Sequence, residues 1–354
     1  GASGGSGTGK SGFDRGGYTG YNIRGLESNR VGIDVDGIPQ PDATGRSYVS
    51  RAGLNSFGIG RDYIDPYMYG NVDIHSGATA IDNANTSIGG NVSFRPKSAD
   101  DYLHSGKETY FGYQTDYDSA DRSWHNGLTV AGGDDTLRGV FVYSRRDGQQ
   151  TRNNSGTHDA YPANWHSDAM MASGIWQATD AHKLTTTLDY YHKTNHTHYD
   201  AWDSAGSDII GTAQQTSQSR RWGISLKDDW TPMNDWLDSM STKVFYQHTE
   251  AHDWTYMPDS TSLALETVTS NYDTNTWGIQ NAMAKTLGRH DLSAGFNAST
   301  SKTERPFSQS PVPSTFSAIM QPEADSSSYT LGAFVQDQIN FDLASHNFAI
   351  LPGL

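Results

Sequence analysis

From about Glu108 onward, the sequence repeats one pattern, in which apolar and polar side chains alternate over segments of about 10 to 14 residues separated by turn residues. In the clearest segment, Leu292 and Phe296 share one face, whereas Ser293 and Asn297 lie on the other. Side chains of a β-strand point alternately to opposite faces of a sheet. The pattern therefore predicts antiparallel strands with one apolar face, and it is not the pattern of amphipathic helices.

The links between the predicted strands alternate in length. We predict about eleven strands, at residues 107–116, 123–133, 136–148, 169–179, 182–195, 217–230, 241–252, 273–287, 290–301, 328–342 and 346–354. The short links are 132–135, 179–182, 288–289 and 344–345, and the long links are 149–168, 196–216, 253–272 and 302–327. Short turns on one rim and long loops on the other are typical of outer-membrane β-barrels. The link at 117–122 is shorter, and the segment at 232–240 longer, than this arrangement predicts.

Alternation alone leaves two classes of protein open, because a water-soluble antiparallel sheet with one wet face shows the same pattern. Aromatic residues make up 11% of the chain. Many of them lie near predicted strand ends, as do Trp222, Trp230, Tyr246, Trp254 and Trp277. These positions fit the aromatic girdles at the two interfaces of a membrane barrel, and packing in a soluble core is the alternative.

Composition excludes several classes of protein. The 354 residues contain no cysteine, which excludes disulfides and cysteine metal sites. No run reaches the roughly 18 to 20 apolar residues of a membrane helix. The formal charge of −15 disfavours nucleic acid as a partner. Since no nucleophile elbow and no carboxylate pair tied to a histidine occurs either, we expect a transporter rather than an enzyme.

The first hundred residues contain two blocks that resemble the plug-domain signatures of TonB-dependent outer-membrane receptors. The first block comprises Tyr21, Asn22, Ile23, Arg24, Gly25 and Leu26, followed by residues 29–31 and 35–38. The second comprises residues 72–78 and 88–94. The order and spacing of both blocks match the family, although His75 and Ser76 stand where the family usually has Arg next to Gly-Pro.

This resemblance implies an all-β membrane barrel with an N-terminal α/β plug domain in the bacterial outer membrane. We place the plug at residues 1–104 and the first half of the barrel at residues 105–354. Barrels of this family have 22 strands, so we expect the chain to lack the second half of the barrel, the start of the plug and the energy-coupling box. The implied partners are TonB, which supplies energy from the inner membrane, and the lipid around a monomeric receptor. Arg24 and the many acidic residues predict ion pairs between plug and barrel.

Within the family, the chain looks most like the haem and haemoglobin receptors, because the plug loop is followed by Tyr63-Ile64-Asp65. In such receptors a histidine or tyrosine ligand of haem iron projects from the apical loop of the plug. Tyr48 stands at that place, and a phenolate suits ferric haem. Its neighbours Arg46, Arg51 and Arg61 are predicted to bind the haem propionates. The alternative is that Tyr48 packs on the barrel wall and the arginines are solvated.

Weaker candidates for haem ligands are Tyr63, Tyr67, Tyr69, His196 and His198. His196 and His198 share one face of an extended chain, which suits haem capture or a metal ion. Polar aromatic residues at a membrane rim explain these histidines equally well.

Two other functions remain open at this point. A receptor of the same fold would also suit a ferric siderophore or another metal complex as cargo. Residues Gly4 to Ser11, including Lys10, match the P-loop pattern of nucleotide-binding proteins. That loop requires a strand before it and a helix after it, and the following residues 12–17 are too rich in glycine to begin a helix. We therefore expect a flexible glycine-rich segment there.

Overall fold

The computed structural model describes the chain as β-strands with two short 3-10 helices, in residues 2–5, 18–23, 26–27, 31–42, 44–50, 53–59, 63–76, 90–104, 108–150, 162–199, 213–258, 265–310, 324–343 and 346–350. Side chains are described for most of these residues, with the strands before residue 31 and between 43 and 62 among the exceptions. In the described part of the chain, no helix is long and apolar enough to cross a membrane.

A large antiparallel sheet contains most of the described residues. Its strands, in order of neighbours, are β10 (Thr109–Asp118), β11 (Ser123–Gly133), β12 (Leu137–Gln149), β13 (Ala163–Gln177), β14 (His182–Tyr199), β15 (Ala213–Trp230), β16 (Ser239–Pro258), β17 (Leu265–Leu287), β18 (His290–Glu304), β20 (Ser326–Leu343) and β21 (His346–Ile350). The short strand β19 (Phe307–Ser310) pairs with β17. Apart from β19, each strand of this sheet pairs with the next along the chain, as in an up-and-down meander.

The eleven strands predicted from alternation are confirmed, and several of them extend further at the long-link end. The strand predicted at 241–252 runs from Ser239 to Pro258, and the one predicted at 273–287 begins at Leu265. In the β17 extension, polar side chains occupy both faces, for example Thr267 and Ser270. Hydropathy therefore loses its period of two where the strand still continues.

The two faces of the sheet differ as the alternation predicts. Thr187 and Asp189 of β14 point inward and are buried, whereas Leu188 between them is 50% exposed. Outward-facing aromatic rings lie side by side on neighbouring strands. The ring centroids of Trp222 and Tyr246 are 5.0 Å apart, and those of Tyr246 and Trp277 are 4.3 Å apart. Such a row is typical of an aromatic girdle.

The plug contributes a second sheet of four strands in the order β5 (Ile38–Pro39), β4 (Gly32–Val35), β9 (Gly90–Pro96) and β8 (Tyr69–Ser76). Strands β4 and β9 are parallel, and the other two pairs are antiparallel. Asp36 and Gly37 join β4 to β5 with φ values of 54° and 77°. Positive φ at both positions is the geometry of a tight Asp-Gly hairpin turn.

Three smaller elements complete the described part of the plug. Strands β1 (Ala2–Gly5), β2 (Tyr18–Ile23) and β3 (Leu26–Glu27) form one sheet. Strands β6 (Thr44–Ser50) and β7 (Gly53–Ile59) form a hairpin. The 3-10 helices span Pro66–Met68 and Ala99–Asp101, and the side chains of Asp65 and Ser98 cap their first turns.

Plug and barrel wall share one hydrophobic core. On the plug side it contains Val31, Ile33, Val35, Met68, Tyr69, Val92, Phe94 and Ala99, and on the barrel side Ala131, Val140, Val142, Ala169, Met171, Ile175 and Tyr191. The plug sheet therefore packs against the inward face of strands β11 to β14. Burial of this apolar surface stabilises the contact between the two parts.

Candidate functional site

The principal haem-site candidates lie in and beside the β6–β7 hairpin. Strand β6 contains Arg46 and Tyr48, and its register pairs Arg46 with Phe57 and Tyr48 with Asn55. The side chains of this hairpin, and all of Arg51 and Arg61, lie outside the described residues. The hairpin places the backbones of Arg46 and Tyr48 two residues apart on one strand, and their role in haem binding stays a prediction.

The plug motif and the P-loop pattern fall partly outside the described residues. Asn22 and Ile23 end strand β2, and Ile23 pairs with Leu26 of β3. Arg24 and Gly25 between these strands are not described, nor are residues 6–17, which include Lys10.

The three weaker tyrosine candidates belong to one plug segment, residues 63–69, that contacts the barrel wall. The Tyr67 hydroxyl lies 3.1 Å from Thr129 Oγ1, and the Lys97 ammonium lies 3.7 Å from the centre of the Tyr67 ring. A side chain at Gly127 would lie only 2.5 Å from that ring, so glycine is needed there for the close approach. The Tyr67 ring therefore packs between Lys97 of the plug and Gly127 of the barrel wall.

Arg221 is the centre of a buried polar cluster that joins this segment to the barrel. Its side chain is 1% exposed, and its Nε donates to the Tyr63 carbonyl oxygen at 2.9 Å. Its Nη2 donates to the Tyr69 hydroxyl at 2.9 Å and lies 3.1 Å from Asp189 Oδ1. The Tyr69 hydroxyl in turn donates to Asp189 Oδ2 at 2.9 Å. The cluster thus balances its own charge where water has no access.

The same cluster determines what Tyr69 can do chemically. Burial raises the pKa of Tyr69 well above its ordinary value, although the charge of Arg221 opposes this shift. To ligate ferric iron, Tyr69 would have to lose this proton and give up its hydrogen bonds to Arg221 and Asp189. The structure therefore gives Tyr69 a role in holding the plug, and Tyr63, 1% exposed, lies in the same interface.

Asp65 forms the second buried contact of the segment. It is 2% exposed and accepts hydrogen bonds from Ser144 Oγ at 2.7 Å and from Arg146 Nε at 3.0 Å. Burial alone raises the pKa of Asp65, but the hydrogen bond and charge of Arg146 outweigh it and hold the pKa below the usual value. Asp65 also caps the 3-10 helix through the Tyr67 backbone amide at 2.9 Å.

The Asp36–Gly37 turn is a separate point of attachment. Lys243 Nζ donates to the Asp36 carbonyl oxygen at 2.7 Å and to its carboxylate at 2.8 Å, and Ser225 Oγ donates to the same carboxylate at 2.9 Å. Gln280 Nε2 donates to the Gly37 carbonyl oxygen at 2.7 Å. Arg138 on β12 forms a further ion pair with Asp100 of the plug, and its hydrogen bond lowers the pKa of Asp100.

In these contacts the acidic groups and the basic groups come from opposite sides of the interface, which the sequence did not predict. In the described residues the plug supplies the acids Asp36, Asp65 and Asp100, and the barrel wall supplies Lys243, Arg146 and Arg138. Alternation could have found the inward cation Arg221, because it shares the polar face of Gly223 and Ser225. Its partner Tyr69 has no such signal.

The histidine candidates lie at the long-link end of β14. His196 is exposed, and its Nδ1 is 3.0 Å from Thr216 Oγ1. It borders an open cleft of about 500 Å³ that is also lined by Tyr117, Trp124, Trp165 and His166. His198 is two residues further along the same strand. Among the side chains that the structure describes, no three acidic residues or histidines converge to hold a metal ion.

Comparison with known proteins identifies the fold. Residues 3–91 match the family model of the TonB-dependent receptor plug domain. The chain therefore contains a TonB-dependent receptor plug domain. The predictions of a plug followed by an outer-membrane β-barrel are thereby confirmed. The FrpB iron transporter of Neisseria meningitidis has a similar structure, with a TM-score of 0.67 at 13% identity over 99% of this chain and 56% of the transporter.

Two curated relatives resemble this chain in sequence. The hemoglobin and hemoglobin-haptoglobin-binding protein of Haemophilus ducreyi is 29% identical over 253 residues, which cover 66% of this chain and 25% of that protein. Transferrin-binding protein A of Haemophilus influenzae is 32% identical over 143 residues, or 39% of this chain and 15% of that protein. The chain therefore spans about a quarter or less of the length of these relatives.

Proposed function

We propose that this TonB-dependent receptor takes up haem, delivered by haemoglobin, across the outer membrane. The observation that carries the proposal is the similarity to the hemoglobin-binding protein of Haemophilus ducreyi, which extends over two thirds of the chain. The position of Tyr48 and Arg46 on the β6–β7 hairpin supports it, because phenolate is a ligand of ferric haem and arginine binds carboxylates through paired hydrogen bonds.

In the proposed mechanism, Tyr48 holds the iron of incoming haem, and Arg46, Arg51 and Arg61 hold its two propionates. The long loops of the barrel, with His196 and His198 at their base, cover the ligand from outside. TonB then uses inner-membrane energy to move the plug and admit haem to the periplasm. Movement requires the contacts of Arg221, Arg146 and Lys243 with the plug to break, so these contacts oppose opening in the absence of TonB.

Haem titration of the full-length receptor in detergent, followed by the Soret band, tests the site. We expect saturable binding to the wild type, and weaker binding with a changed spectrum for Tyr48→Ala. Tyr67→Phe is the matched control, because the Tyr67 hydroxyl contacts Thr129, and its Soret spectrum should equal that of the wild type. Binding that Tyr48→Ala leaves unchanged would keep haem as the cargo and reject Tyr48 as its ligand.

A second candidate cargo is a ferric siderophore or another iron complex, and the similarity to transferrin-binding protein A favours it. Absence of a Soret change at every haem concentration, together with binding of an iron complex, would support this cargo. A nucleotide site at residues 4–11 would require binding that Lys10→Ala abolishes.

A further inference from the structure

The link between β15 and β16, residues 231–238, carries large apolar side chains in solvent at the rim of short turns. Trp236 is 86% exposed and Met233 is 71% exposed. The other links that the structure describes on this rim, at 134–136, 178–181 and 288–289, contain no large apolar residue. Exposure of a tryptophan ring to water is unfavourable, so this turn requires a physical explanation.

The turn holds these side chains in a defined arrangement. Asn234 Oδ1 accepts hydrogen bonds from the backbone amides of Trp236 at 2.9 Å and Leu237 at 2.8 Å. The backbone N–H of Asn234 donates to the Leu237 carbonyl oxygen at 3.0 Å. Met233 has a φ of 48°, which turns the chain sharply before Asn234. Trp236 is therefore projected by an ordered turn.

Contacts of the turn with β17 place it at the lipid-facing side of the wall. Lys285 Nζ donates to the Asn234 carbonyl oxygen at 2.7 Å and to Asp238 Oδ1 at 3.0 Å. Lys285 pairs with Leu292 and lies two residues before Leu287, on the outward face that also presents Ile279. The turn consequently lies beside the lower margin of the outward apolar surface.

The margin of the outward surface next to the turn is also rich in large apolar side chains. Trp230 and Met240 end the two strands that the turn connects, and they pair with each other. Leu287 is 52% exposed and Leu292 is 36% exposed on the neighbouring strands. The ion pair between Lys285 and Asp238 compensates both charges at the edge of this surface. The apolar surface that faces lipid thus reaches the ends of β15 and β16, directly beside the turn.

We propose that residues 231–238 form a lipid anchor, in which Trp236 and Met233 insert into the interfacial region of the leaflet on the short-turn side. The indole ring suits this position because it has a large apolar face and an N–H group that can reach polar headgroups. Continuity with the lipid-facing wall selects lipid as the occupant. The anchor fixes the height of this rim relative to the membrane surface, and it is independent of the cargo.

A site-specific fluorescent label tests the anchor. The 354 residues contain no cysteine, so Trp236→Cys creates a single labelling site within them, and any cysteine elsewhere in the full-length receptor is replaced by serine. The labelled receptor is reconstituted into phosphatidylethanolamine and phosphatidylglycerol vesicles. We expect a blue-shifted emission, strong quenching by lipids that carry a nitroxide near the headgroup, and protection from aqueous iodide.

Asp180→Cys in the β13–β14 link is the matched control, because Asp180 is exposed in a polar turn of the same rim. Its label should show the opposite behaviour, namely quenching by iodide and little quenching by nitroxide lipid. Met233→Cys repeats the measurement at a second position of the anchor. Iodide quenching at positions 236 and 233 equal to that at 180 would overturn the proposal, and protection that appears only after addition of TonB would instead identify a protein-docking turn.

Discussion

Two of the attachments between the plug and the barrel wall use charge differently. Where the wall meets the segment 63–69, Arg221 of the wall and Asp65 of the plug are at most 2% exposed, and each of their charges has an opposite charge in contact. At the Asp36–Gly37 turn, the ion pair between Lys243 and Asp36 retains access to water, with side-chain exposures of 14% and 22%. Removing one partner of a buried pair leaves an uncompensated charge without water, whereas water replaces a lost partner at an accessible pair. The first attachment should therefore respond far more strongly to a single substitution.

The largest effect is expected from Arg221→Ala. This change removes the cation beside buried Asp189 and the donors to Tyr63 and Tyr69, and it should lower the free energy of unfolding by about 3 to 5 kcal/mol. Denaturant titration of the purified full-length receptor measures it. Arg220→Ala is the matched control, because Arg220 is the preceding residue, is 40% exposed and lies 3.6 Å from Glu250 on the outward face. Equal losses for both variants would contradict the assigned difference in burial.

Asp65→Asn should have an intermediate effect, about 2 kcal/mol, because the hydrogen bonds to a charged group are weakened while Arg146 remains partly accessible to water. The loss should depend on pH. Since the folded-state pKa of Asp65 lies below the ordinary value of 3.8, the stabilising contribution is present above that value and disappears as the pH falls through the lower folded pKa. The stabilities of wild type and variant should thus converge in strong acid. A difference that grew on acidification would refute the direction of this pKa shift.

The smallest effect is expected from Lys243→Ala, about 1 kcal/mol, because water can solvate Asp36 when the ammonium group is gone. A double-mutant cycle with Asp36→Asn separates the pair from other contacts of the two residues. A coupling energy as large as that between Arg221 and Asp189 would show that the two attachments do not differ as their exposure indicates.

The strands of the barrel could be predicted because their signal is local. The segment 222–230 already shows which of its side chains face outward, and the observed pairing of Trp222 with His248 and Ile224 with Tyr246 agrees with it. The ends of the strands could not be predicted, since β17 continues for eight residues before Asp273 with polar side chains on both faces. Polar residues on both faces are compatible with a loop or with a strand outside the lipid layer.

The candidate site was predictable to a smaller extent. The resemblance to the family put Tyr48 in the apical loop of the plug, and the structure forms strand β6 of a hairpin there. The role of Tyr48 as a ligand stays a prediction. The sequence left Tyr67 and Tyr69 open as weaker ligand candidates than Tyr48, because a tyrosine has the same donor atom wherever it stands. Their hydrogen bonds to Thr129 and Asp189 distinguish them, and these partners lie 62 and 120 residues away in the chain.

Local period and motif were enough to recognise the plug domain, to locate the strands and to assign their two faces, because a strand shows its faces at every second residue. Long-range packing selected the polar residues that become buried partners. Asp65 and Arg146 are 81 residues apart and meet because plug and barrel wall bury a shared core, and that burial makes an unpaired charge costly. The lipid-side position of the 231–238 turn likewise depends on Lys285, which lies about fifty residues further along the chain and only 2.7 Å away in space.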